Sequence, residues 1–322
     1  MASNLLAISS YPSGFGSGVA IRELPLATVF AGNIYWVNSV TGSNQNKGTR
    51  DRPFATLDYA IGRCTASNGD VVMIAPGHAE SITSATALAF DVAGVTIVGL
   101  GYGSNRPTFT FTTANTATIA VSAANVAIMN CIFVGNFLSI ATCFTLTTAP
   151  EFTVDRCEFR DTSAVLGFLS IITTTVSVNS DGLTFTNNVV QSDATTSPGP
   201  AIVIANTLDR LTVVGNLVTH TVASNNVSAL IEHGALVVTH AYIAWNHIYS
   251  INTDTATGAI LVKTTATTGS GMIEHNRVRA QDVAGAILVT ANAVQYGMFD
   301  NLYTGETTLL SGFVLPAIAT DA

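Results

Sequence analysis

The sequence is short of charge. Charged residues occupy 10% of its 322 positions, against roughly 25% in ordinary globular proteins. Lys47 and Lys263 are the only lysines, and the net charge is −8. This balance argues against nucleic acid and anionic membrane, so neither is expected as a partner. No charged side chain occurs between Pro107 and Pro150. Thr, Ser, Asn and Gly interrupt that stretch every few residues, so it does not read as a membrane span. An uncharged surface of this length suits contact with other chains, and an oligomer is expected.

Other signals are missing too. The opening "MASNLLAISSYPSG" has no basic n-region and no sustained apolar core, so no secretory signal and synthesis in the cytoplasm are expected. Cys64, Cys131, Cys143 and Cys157 show no CxxC and no framework spacing, and are read as buried thiols. The six histidines have no metal-ligand spacing. GxSxG, P-loop and dinucleotide motifs are absent. No metal or cofactor is expected. No segment has a helical period long enough to alternate with strands.

What the chain does have is Ala, Val, Ile, Thr, Asn and Gly, a palette for strands and turns, arranged in a repeat. "FTNNVVQ", "VVGNLVT", "IAWNHIY", "IEHNRVR" and "MFDNLYT" place Asn188, Asn216, Asn246, Asn276 and Asn301 in one column. Further upstream, Cys157, Cys131 and Leu100 stand in that column. The steps from Leu100 are 31, 26, 31, 28, 30, 30 and 25 residues, a period that marks a solenoid or related array. Three residues before the ladder stand Ile97, Ile128, Val154, Phe185, Val213, Ile243, Ile273 and Met298. Two residues after it stand Tyr102, Phe133, Phe159, Val190, Val218, Ile248, Val278 and Tyr303. Both columns are apolar or aromatic, so both should face inward. Their separation has the wrong parity for one straight strand. A bend must lie between them, and Asn, which tolerates left-handed backbone, is placed at it.

Upstream strands such as "PAIVIAN" and "GAILVKT" complete a strand, loop, strand, bend, strand unit. A β-propeller would need about 40–50 residues per repeat, and a sandwich would not return the same bend so regularly. The fold class is therefore all-β, a parallel β-helix of about eight or nine coils. The ladder of Cys131, Cys157, Asn188, Asn216, Asn246, Asn276 and Asn301 is read as structural, each amide bonding to both neighbouring coils.

The segment "YWVNSVTGSNQNKGTRDRPFATLDYAIGRC", followed by "NGDVVMIAPGHAESI", resembles the opening of pectin-lyase-like right-handed β-helix proteins, in particular a group encoded by tailed bacteriophages. The resemblance spans roughly residues 34–305. It is specific for the fold and weakly specific for an activity, since lyases, glycosidases, tailspikes and virion decoration proteins share that fold. Four segments follow from these readings: 1–33 as a docking arm, 34–68 as a lead-in with a short amphipathic capping helix, 69–305 as the β-helix, and 306–322 as a C-terminal cap or interface.

Chemistry is sparse. In the columns flanking the bend no acid stacks on another acid. "VDRCEFRD" gathers Asp155, Arg156, Glu158, Arg160 and Asp161. Asp155, Arg156, Glu158 and Asp161 are weak catalytic candidates, with a charge-paired surface patch as the plainer reading. The column just before the ladder runs Asn130, Arg156, Asn187, Gly215, Trp245, His275 and Asp300. Its polarity turns it outward, and Trp245, His275 and Asp300 are a candidate binding surface for sugar or for another subunit.

The resemblance and the missing acid pairs together give the leading expectation: a non-enzymatic structural virion protein. It would be a capsid decoration, cement or head-fibre protein, homotrimeric, and attached through residues 1–33 to the major capsid protein or another virion protein. The alternative is a tail-associated glycan-binding adhesin or depolymerase. A third reading, a secreted carbohydrate-active enzyme, is disfavoured by the lack of a signal peptide.

Overall fold

The computed structural model describes residues 32–163, 165–176, 178–192, 200–220, 228–250, 259–280, 286–290 and 295–304. The proposed C-terminal segment, and all but the last two residues of the proposed arm, lie outside these described residues.

Three parallel sheets of ten, nine and eight strands wind around one core. A single coil shows the plan. Thr184–Thr186 lies in the first sheet, Val189–Ser192 in the second, and Ile202–Val203 in the third. The next coil places Thr212–Val214, Leu217–His220 and Ser228–Gly234 directly beside them, strand on strand and parallel. This is a parallel β-helix. Its shortest sheet has eight strands, the lower end of the eight or nine coils expected.

The register confirms the repeat. Phe185 pairs with Val213, Ile243, Ile273 and Met298 on successive coils. Stacking like on like fills the interior without voids, because neighbouring coils present the same cross-section. In the second sheet Phe109, Phe133 and Phe159 stack, with ring centroids 5.6 and 5.1 Å apart. Phe144 enters this pile from the third sheet, 5.1 Å from Phe133 and edge-on to it.

Two expectations need correction. Tyr102 does not join the inward column; it is 89% exposed. Phe109 takes the place beside Phe133. The cause is an insertion: the Gly-rich turn around Gly103–Asn105 delays the strand to Thr108–Phe111. The left-handed residue at the bend is also not the ladder Asn but the one before it. Asn130, Arg156, Asn187, Trp245, His275 and Asp300 have φ between 47° and 57° or at 59°, and Gly215 has φ 71°. That one residue reverses the pleat, which explains why a polar column faces out while the apolar columns on either side face in.

The ladder itself is buried and fully used. Asn246 Oδ1 accepts from the Asn216 backbone N–H and from Asn216 Nδ2, at 3.1 and 2.9 Å. Asn246 Nδ2 donates to Val213 O and to Asn276 Oδ1, at 2.8 and 2.9 Å. Asn276 repeats the pattern onto Asn301. Cys157 meets the series by donating its backbone N–H to Asn188 Oδ1. Burial pushes the Cys157 thiol up to about 12, and raises Cys131 well above its ordinary value.

The capping helix is one short piece, α1 (Leu57–Ile61), with Leu57, Ala60 and Ile61 buried. Its Thr56 cap makes no side-chain bond. The Glu80 carboxylate instead accepts the Leu57 N–H at 3.0 Å, which satisfies one of the donors that a helix start leaves open. Below it, buried Asp70 ties the lead-in together. It accepts from Asn33 N and Thr65 N, both at 2.6 Å, and from Asn68 Nδ2 at 2.8 Å and Asn33 Nδ2 at 3.3 Å. Burial alone would raise this carboxyl, but the four donors outweigh it and hold it below the usual carboxylate value.

A lowered native pKa stabilises the fold at every pH above the unfolded value of about 3.9, and that share is lost as pH falls through it. Thermal melts of the wild type should therefore lose stability steeply below about pH 4. Asp70→Asn should start less stable at neutral pH and show a flatter acid limb. Parallel acid limbs in the two proteins would refute this role for Asp70.

Candidate functional site

The bend between the first and second sheets carries the densest exposed chemistry on the described surface. Trp245, His275 and Asp300 occupy the left-handed position on three successive coils. The structure brings all three together. The Trp245 and His275 rings stack 4.2 Å apart at an interplanar angle of 8°. His275 Nε2 lies 3.3 Å from Asp300 Oδ2. Phe299 meets His275 edge-on at 5.9 Å.

The outward face of the first sheet extends the strip. Tyr242 donates its hydroxyl to Glu274 Oε1 at 2.8 Å, and that bond raises the phenol's pKa. Glu274 Oε2 stands 3.9 Å from His275 Nδ1. Trp245 is 59% exposed and Phe299 63%. Large aromatics left in water at this density mark a contact surface. Two carboxylates flank one imidazole here, Glu274 on the Nδ1 side of His275 and Asp300 on the Nε2 side. Comparison column by column misses this pair, because the two acids stand in adjacent columns on adjacent coils.

The Asp155 patch is placed differently. Asp155 ends the first-sheet strand, Arg156 sits at the bend, and Glu158 and Asp161 lie on the second sheet. Asp155 Oδ1 accepts from Thr186 Oγ1 and Asn187 Nδ2, both at 2.9 Å, and Asp155 Oδ2 from Arg156 Nε at 2.7 Å. Burial would raise the Asp155 carboxyl, but these bonds prevail and lower it. Glu158 pairs with Arg106, from the Gly-rich turn, and with Arg160. Asp161 accepts from Ser192 Oγ at 2.7 Å and Phe168 N at 3.0 Å. Each acid is taken up by its own neighbours, so the four candidates do not converge on one point.

A second corner was not foreseen. Asn125, Glu151, Arg210 and His240 form another left-handed column, with Gly94 on the coil before Asn125 and Gly182 between Glu151 and Arg210. Arg210 reaches Glu151 at 2.5 Å across Gly182, where a Cβ would lie 2.3 Å from the Glu151 carboxylate. Here acids do stack: the Asp209 N–H donates to Asp181 Oδ1 at 2.8 Å. Bonds from Thr239 and His240 hold Asp209 below the usual carboxylate value. Apart from the two glycines the positions differ in residue type, so no sequence column reveals them. Among the described residues no three His, Cys, Asp or Glu side chains are grouped to hold a metal ion, and no helix is long and apolar enough to cross a membrane.

No family model matches the chain, and no curated protein matches it. Solved structures do. A rhamnogalacturonan lyase is 12% identical over 86% of this chain and 88% of its own, with a TM-score of 0.36. The pectate lyase Pel9A is 12% identical over 81% and 78%, with a TM-score of 0.39. The GH136 lacto-N-biosidase from Eubacterium ramulus is 11% identical over 87% and 68%, with a TM-score of 0.31. The chain thus has a β-helix fold similar to that of polysaccharide-active enzymes, and no activity passes to it at such identities. The expectation that the chain is not an enzyme is corrected by these findings.

Proposed function

We propose that the chain binds a saccharide along the Tyr242–Trp245–Phe299 strip of its β-helix. The observation that carries this reading is the exposed Trp245 and Phe299 rings set beside the Glu274 and Asp300 carboxylates. Aromatic faces cover the apolar C–H side of a sugar, and carboxylates accept from its hydroxyls. The placing of such a body on a phage-like particle is supported by the resemblance of roughly residues 34–305 to phage β-helix proteins. In that setting residues 1–33 dock on a virion protein and three copies associate.

Isothermal titration with tetrasaccharides of β-linked galactose, glucose and N-acetylglucosamine tests the binding. At least one should bind, and Trp245→Ala should weaken it by about tenfold or more, equivalent to about 1.4 kcal/mol. Absence of binding across the panel, or equal binding by the variant, would overturn the reading.

A capsid-decoration role is the second reading. It is favoured by exposed Val189 and Leu217, which stand side by side on neighbouring coils beside the same bend and suit contact with a further copy. Immunogold labelling of particles from the source separates the two: label at the tail supports saccharide recognition, and label over the head supports decoration.

A further inference from the structure

We infer that Trp245, Gly215 and Asn187 form a slot for a single pyranose ring, an inference that rests on the saccharide reading above. The argument starts from the two faces of the indole. One is covered by His275, on the next coil, nearly parallel at 4.2 Å. The other must therefore point back along the rod toward the preceding coil, where the register places Gly215 beside Trp245. Gly215 has no side chain, so that face is open, in keeping with the 59% exposure of Trp245.

Backbone conformation does not explain the glycine. Gly215 has φ 71°, but Asn187 on the coil before it holds φ 55° and Trp245 on the coil after it φ 59°. Side chains are accommodated at this bend on both neighbouring coils. What glycine supplies at 215 is space. The gap has a polar floor. A Cβ on Gly215 would lie 2.7 Å from Asn187 Oδ1, so the Asn187 amide leans over the glycine. Its Nδ2 is committed to Asp155 Oδ1 at 2.9 Å, while its Oδ1 accepts from no described residue. An acceptor is thus aimed into the gap. The amide is shorter than the indole and covers only the inner end, which leaves the outer part of the Trp245 face free. Coils repeat about every 4.8 Å, close to the thickness of one sugar ring. The occupant that fits is a hexopyranose with an unbroken C–H face against Trp245, donating a hydroxyl to Asn187 Oδ1.

The test is ¹⁵N-edited NMR of the full chain, which has two indole N–H signals, from Trp36 and Trp245, titrated with the three tetrasaccharides named above. Addition of the binding sugar should shift the Trp245 signal and leave Trp36 in place. Gly215→Asn fills the slot with a residue whose backbone suits this bend, as Asn187 shows, and only the tip of the Asn187 side chain, 2.7 Å from the new Cβ, has to move. It should keep the wild-type circular dichroism and lose about tenfold or more in affinity, or about 1.4 kcal/mol. Asn187→Ala removes the acceptor without touching Gly215 and should weaken binding severalfold; it decides the matter if Gly215→Asn does not fold. If both variants bind like wild type while Trp245→Ala does not, the slot is refuted and the saccharide strip stands. If Trp245→Ala also binds normally, or no sugar binds, the strip itself fails and the slot with it.

Discussion

Phe144→Ala should destabilise the protein by about 3–5 kcal/mol, the usual cost of emptying a buried phenylalanine site. Phe144 is fully buried. Its ring stands 5.1 Å from Phe133, 5.5 Å from Phe152, 6.1 Å from Phe90 and 6.2 Å from Phe159. Those rings belong to several coils and two of the sheets, so no single side chain can swing in to fill the hole. Because each coil leans only on its neighbours, the weak point would sit within the rod and loosen contacts on both sides. Denaturant titration followed by circular dichroism reads the effect as a lower midpoint. A loss below about 1 kcal/mol would mean that the pile repacks, contrary to the rigidity expected of close-packed interiors.

Asn246→Ala should cost about 1–3 kcal/mol, and for a different reason. The apolar volume lost is small. What remains behind is unsatisfied: the Asn216 N–H and amide lose their acceptor, and Val213 O and Asn276 Oδ1 lose a donor. Asn246→Asp is the informative companion. It keeps the acceptor for Asn216 but removes the donor and buries a charge beside Asn276 Oδ1, so it should be at least as damaging at neutral pH. Its stability should recover as pH falls and the carboxyl is neutralised, opposite in sign to the acid limb expected for Asp70. Unchanged melting of Asn246→Ala would remove the ladder from the account of stability.

Much of this architecture is legible in the sequence because a buried amide or ring needs a like partner on the next coil. That requirement repeats the residue type and exposes the period. The Asn ladder, the Phe133 column and the "AILV" strands all carry such a signal. Outward corners carry none, since solvent places no demand on likeness between coils. The mixed column of Arg156, Gly215, Trp245 and His275 turns outward on its polarity, but the sequence pattern puts the left-handed residue one position later than the structure does. Tyr102 was misplaced because an insertion breaks the period where no Asn marks the register. Glu274 and Asp300 come to either side of His275 from adjacent columns on adjacent coils, which residue-by-residue comparison within a column does not reveal.

The bonds between successive ladder amides all run one way, while each Nδ2 also donates back to a carbonyl of the preceding coil. Each Oδ1 receives from the coil before it, and the Nδ2 groups of Asn216, Asn246 and Asn276 each reach the next Oδ1. The series is a queue of aligned amide dipoles with a front and a back, so it polarises cooperatively. Its front stops inside the molecule, where Cys157 and Cys131 replace the amides and α1 covers the first coils. The queue has therefore ended at buried residues before the rod does, and at that end a helix lies where a further coil would stack. The chain thereby has a built-in obstacle to filament growth by coaxial addition at this end, a hazard for any solenoid made of repeating strands.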